Sequence, residues 1–207
     1  MAKLATKIAL TPMSALHGIA TPGRFGKADG APGVTIDERG NLGLATVAAR
    51  KGQDDALMAA AREAYGVELP AHSSFVQGKT VSFIGYGPGQ WLAVSEALEN
   101  EALAEDLAPR FTGIASVADQ CSGRAVLRVS GPRARDVLAK GLAIDLDPRV
   151  FPAGGAATST ISHMGVQLWQ GEAGSYDIAI FRSMSASFWR WLTASAAEFG
   201  YEVVTTS

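Results

Sequence analysis

The sequence predicts an α+β fold made of two tandem β-α-β-β-α-β units, each an antiparallel or mixed sheet with its helices packed on one face. Three observations predict it. Apolar residues recur at helical spacing in some segments and as alternating or short buried runs in others. The two kinds of segment follow one another in the same order twice, over 41–120 and again over 121–207. Gly, Pro, Asp and Ser fall at the boundaries, where caps and turns need them.

Residues 1–40 stand apart. Gly18, Gly23, Gly26, Gly30 and Gly33, with Pro12, Pro22 and Pro32, interrupt any regular period. Such a segment cannot build a core. It reads as an extended Gly/Pro-rich arm, either flexible or ordered along the surface of a partner.

The first unit opens with LGLATVAAR (42–50), a buried strand. Asp54 or Asp55 caps a helix that Gly66 closes, with Leu57, Met58, Ala61 and Tyr65 on one face. Two strands, 80–86 and 90–95, join through Gly87-Pro88-Gly89. The segment 96–107 reads as a helix with Leu98, Leu103 and Leu107 inward, stopped by Pro109. TGIASVA supplies a closing strand.

The second unit opens with RAVLRVS, in which Ala125, Leu127 and Val129 share one face. A helix starts at Ser130-Gly131-Pro132 and ends at Gly141, with Ala134, Val137 and Leu138 inward. ATSTISHMGVQLWQGE makes two strands or one bent strand, and SYDIAIF alternates cleanly. The helix 185–199 sets Phe188, Trp191, Leu192, Ser195 and Phe199 on one side, Gly200 closes it, and YEVV returns as a strand. Trp189 is rotated about 100° from its neighbours and points outward, as an interface anchor or against a loop of the same chain.

Composition bounds the function. At 207 residues the chain buries roughly 70% of its unfolded surface without staples. Charged residues make up only 18% of it, which suits either burial against partners or simply an Ala- and Gly-rich proteome. A net charge of −2 with scattered cations gives no case for nucleic acid or an anionic membrane surface. No stretch approaches the roughly 20 apolar residues that span a bilayer. One cysteine and no signal-like N-terminus fit a reducing cytoplasm.

No catalytic set emerges. His17, His72 and His163 lack a companion nucleophile motif, and His163 reads as structural. The glycines of 85–91 fail the phosphate-loop pattern at Gln90 and join strand to strand, so a hairpin turn is the reading. Gly131 to Arg135, between strand and helix, is either a carboxylate or phosphate site or an ordinary capped helix with solvated arginines. Cys121 reads as a buried structural thiol. No metal-ligand spacing is present.

The stretches GRAVLRVSGPRARDVLAKGLAIDLDPRVFPAG, HMGVQLWQ, YDIAIFRS and SFWRWL, with LGLATVAARKG and GPGQWLAVSE before them, resemble the gamma subunit of heterotetrameric sarcosine oxidase. The resemblance spans roughly 33–199. It implies a fold similar to the folate-binding aminomethyltransferase. It also implies alpha, beta and delta partner subunits in a complex that demethylates sarcosine, or a related N-methyl amino acid, with transfer of the carbon to tetrahydrofolate. FAD, FMN, NAD, tetrahydrofolate and zinc are expected in those partners and none in this chain. No catalytic, cofactor or metal residue carries over. The alternative is a free-standing folate-binding, aminomethyltransferase-like protein or an adaptor, and the length of the chain weighs against the transferase.

Overall fold

The computed structural model describes residues 13–205. Strands β1 (Gly23–Phe25), β2 (Val34–Glu38) and β3 (Gly43–Ala49) precede helix α1 (Asp54–Tyr65). Then come β4 (Phe75–Val76), β5 (Ser82–Gly87), β6 (Gln90–Ser95), α2 (Ala102–Arg110) and β7 (Ala115–Asp119). The second half runs β8 (Arg124–Ser130), α3 (Ala134–Ala139), β9 (Ala156–Ile161), β10 (Met164–Glu172), β11 (Ser175–Phe181), α4 (Ser185–Ala196) and β12 (Tyr201–Thr205).

Two sheets result, ordered β4-β5-β6-β3-β7 and β1-β12-β2-β8-β11-β10-β9. In the first, β3-α1-β5-β6-α2-β7 forms a split β-α-β pattern with every neighbouring pair antiparallel. The second repeats the pattern with one change. Strand β2 inserts between β8, to which it is antiparallel, and β12, to which it is parallel. This corrects the expected arm: Val34 and Ile36 alternate into the core with no measurable exposure, and β1 adds an edge on β12. The part of the arm at 1–12 lies outside the described residues.

The layers are helix, sheet, sheet, helix. Leu57 and Ala61 of α1 and Leu103 and Leu107 of α2 pack on Ala45, Val47, Phe83 and Trp91 of the smaller sheet. On the larger sheet, Val137 and Leu138 of α3 and Phe188 and Leu192 of α4 cover Ile36, Leu127, Val129 and Ile178. The inner faces meet through Leu44, Ile84, Leu92, Val126, Trp169 and Ala179. The middle of each sheet is therefore buried on both sides, so its central strands lose polar alternation: Trp91 to Ser95, Val166 to Gln170 and Tyr176 to Ile180 are continuously buried.

Local chemistry sets several boundaries. Gly66 closes α1 in the left-handed region at φ +66°, a conformation that glycine adopts freely. The 96–107 helix starts late, at Ala102, because the Ser95 hydroxyl accepts the N–H groups of Ala97 and Leu98 and holds them in a turn. Leu98 is therefore a loop residue. Its carbonyl lies so near Gly43 that a Cβ there would sit 1.9 Å away. Pro109 falls inside the last turn of α2, not beyond it. β9 and β10 join through Ser162 and His163, both at positive φ (47° and 69°), the geometry of a two-residue hairpin turn.

Candidate functional site

Where the inner faces of the sheets part, a cleft of about 390 Å³ opens, floored by Phe75, Val94 and Trp169. Its polar wall is a four-residue ion cluster. Asp177, on β11, is 4% exposed. Its register partner Arg128 on β8 grips it with two bonds of 2.9 and 2.7 Å. Arg39, in the linker after β2, reaches Asp177 at 3.4 Å and also pairs with Glu96 just after β6. The cluster thus spans both sheets. The fork of Arg128 fits a carboxylate in bidentate fashion, and the Asp177 carboxylate holds the Arg128 pKa above its ordinary value. Each of its four charges has a partner within the cluster, which makes it a structural tie between the sheets. No local pattern announces it, because Arg39, Glu96, Arg128 and Asp177 lie on four separate segments: the register of β8 and β11 sets Arg128 opposite Asp177, and the linker after β2 and the end of β6 bring in the other two.

A second polar group lies under α1 and α2. The Tyr65 hydroxyl donates to Asp106 at 2.6 Å, and Arg110 pairs with the same carboxylate at 2.9 Å. The Arg110 bond holds the Asp106 carboxyl below the usual carboxylate range. Burial, aided by Asp106, raises the Tyr65 pKa well above that of a free phenol. This set fastens the two helices to one another.

Cys121 sits half-buried against β3. Its Sγ accepts the Leu44 N–H at 3.2 Å and lies 3.5 Å from the Leu44 carbonyl. Burial, with the Asp119 carboxylate beside it, pushes the thiol up to about 12. A thiol so raised is a poor nucleophile at neutral pH. Because folding disfavours the thiolate, the unfolded chain loses its proton first. The contribution is intact below the unfolded pKa of about 8.5 and is lost as pH climbs from there towards about 12. Denaturant titrations at pH 8 and pH 10 are expected to show a steeper loss of stability in the wild type than in Cys121→Ala. Equal losses in the two would contradict the raised pKa.

The residues singled out from sequence fall as follows. Trp189 does not point outward. It is 9% exposed and belongs to the core between α4 and the larger sheet. Trp191, expected inside, is partly buried at the margin of that core, with its ring against Gly141. A 12-residue helix on a wide sheet buries a broad stripe, and the wheel alone did not show where the stripe was centred. At the Gly131 to Arg135 turn, the Arg133 N–H donates to the Gly33 carbonyl at 2.9 Å. The Arg133 guanidinium pairs with Asp136 at 3.0 Å and lies 4.4 Å over the Phe199 ring. These groups are thus engaged by β2 and its neighbours. Gly85 to Trp91 forms the β5–β6 hairpin, and the Trp91 indole N–H is spent on the Pro70 carbonyl at 2.9 Å. Among the described residues no three His, Cys, Asp or Glu side chains converge as a metal site requires.

Residues 50–198 match the model of the family described as sarcosine oxidase, gamma subunit family. The sarcosine oxidase subunit gamma of Corynebacterium sp. strain P-1 is 34% identical over 149 residues, covering 70% of this chain and 72% of that protein. Among solved structures, a chain of the heterotetrameric sarcosine oxidase from Corynebacterium sp. U-96, in complex with pyrrole 2-carboxylate, superposes with a TM-score of 0.71. It is 31% identical over 80% of this chain and 85% of that one. The glycine cleavage system aminomethyltransferase T of Bartonella henselae shares the fold, with a TM-score of 0.63 at 16% identity over 84% of this chain and 48% of its own length. A match over most of the chain, carried by relatives above 30% identity and by the same two-sheet architecture, places this protein in the sarcosine oxidase gamma subunit family.

Proposed function

We propose that this chain is the non-catalytic gamma subunit of a heterotetrameric sarcosine oxidase, assembled with alpha, beta and delta subunits. In this reading FAD, FMN, NAD, tetrahydrofolate and zinc reside in those partners. Sarcosine, or a related N-methyl amino acid, is oxidised there, and its carbon passes to tetrahydrofolate. The complex works in the cytoplasm; no helix among the described residues is long and apolar enough to cross a membrane. The observation that carries the reading is the family match across residues 50–198.

A tagged chain expressed in its native host is expected to co-purify with larger flavin-containing chains and sarcosine-dependent oxidase activity. Recovery as a monodisperse monomer with neither would refute the reading. A free-standing folate-binding role predicts instead that the isolated chain binds tetrahydrofolate, which calorimetry would detect.

A further inference from the structure

A second cleft, of about 600 Å³, opens where residues 13–15 meet the linker after β2 and the start of β8. Arg124 and Arg182 line it, as do Met13 and Cys121. Arg124 is its unusual feature. Its Nε is buried without a hydrogen-bond partner, and its guanidinium lies 4.9 Å over the ring of Phe181. Burial pushes its pKa below the ordinary arginine value. A desolvated cation is costly unless an anion faces it.

Among the described residues that anion is missing. Among the described residues, no acidic side chain forms an ion pair with Arg124 or Arg182. Arg182 spends one N–H on the Met13 carbonyl at 2.5 Å. Two acids line the same cleft. Glu38 is engaged by the Ser14 hydroxyl at 2.5 Å and the Ala15 N–H at 3.1 Å. Glu101 stands before α2 without reaching either arginine. Residues 1–12 and 206–207 contain no Asp or Glu. Two exposed apolar side chains stand beside the arginines: Met13, on the cleft wall, is 61% exposed, and Phe181, stacked under Arg124, is 51% exposed.

We infer that this cleft docks an acidic segment of another chain of the complex, whose carboxylate pairs with Arg124 and Arg182 while its apolar residues cover Met13 and Phe181. The inference rests on the subunit reading above and names the partner's chemistry. An arginine stacked on an exposed aromatic ring is a common interface anchor, and charge complementarity to Arg124 and Arg182 selects an acid as the occupant.

The test is assembly of the full chain with its sister subunits, prepared from a host lacking this gene. Arg124→Met keeps the length of the side chain and removes the charge. It is expected to raise the Kd at least about 30-fold, chiefly through faster dissociation. Arg62→Met removes a cation whose pair with Glu68 is solvent-exposed and should leave the Kd within about twofold. The melting temperature of isolated Arg124→Met should equal or exceed that of the wild type, because no internal partner is lost. A Kd within about threefold of wild type would overturn the docking. A melting point lowered by more than about 5 °C would overturn it too, by making Arg124 a structural residue. Binding of malonate to the isolated chain that depends on Arg124, with assembly unaffected, would assign the cleft to a small carboxylate instead. A wild-type chain that forms no complex would fail the subunit reading itself.

Discussion

Asp177→Ala is expected to destabilise the isolated chain by about 3–5 kcal/mol, the range for breaking a buried ion pair from one side. The carboxylate is 6% exposed, and two guanidiniums converge on it. Its loss leaves the buried Arg39, 12% exposed, facing the partly exposed Arg128 with no carboxylate between the two like charges. In a chain of this length the loss corresponds to a fall of roughly 6–20 °C in melting temperature. Removing all the inner charges together (Arg39→Met, Arg128→Met, Asp177→Leu) is expected to recover much of it, since apolar packing often equals or exceeds a buried ion pair. Glu96→Ala should change stability by no more than about 0.5 kcal/mol, because Glu96 is 74% exposed and its pair is screened by water. Calorimetry of the three variants checks the set. An Asp177→Ala protein that melts like wild type would contradict the tie between the sheets.

Trp189→Ala should be as damaging, at about 3–5 kcal/mol, for a different reason: a large apolar side chain is removed and a cavity remains. The indole packs with Phe188 and Leu192 in the core of the larger sheet. The drop in melting temperature should appear in the isolated chain, before any partner is added. An unchanged melting point with weakened assembly would show that Trp189 is an interface residue after all. Trp189→Phe, which refills most of the space, should recover a large part of the loss.

How much of this was legible in the sequence differs from element to element. RAVLRVS gives β8 with its observed bounds, and Gln90 to Ser95 gives β6, because short apolar runs flanked by Gly and Ser leave little choice of period. The α1 helix could be read from its first acids to Gly66 for the same reason. Strand β2 was missed although Val34, Thr35 and Ile36 alternate, since five residues among glycines and prolines form a strand only when a sheet has a gap for them. That gap lies between β8 and β12, at the opposite end of the chain.

The candidate site divides along the same line. Local features such as the hairpin at Gly87-Pro88-Gly89 and the closure of α1 at Gly66 depend on residues a few positions apart, so the sequence displays them directly. The N-cap expected at Asp54 or Asp55 falls instead on Gln53, with no side-chain bond, and the two acids sit in the first turn, where they favour the helix dipole. The Asp177 cluster, the orientation of Trp189 and the unpaired Arg124 depend on pairings between distant segments. Register across β8 and β11 puts Arg128 opposite Asp177, and the packing of one sheet on another buries both faces. Side-chain spacing along a strand says which residues share a face. Whether that face meets water, a helix or a second sheet is settled only by what folds against it.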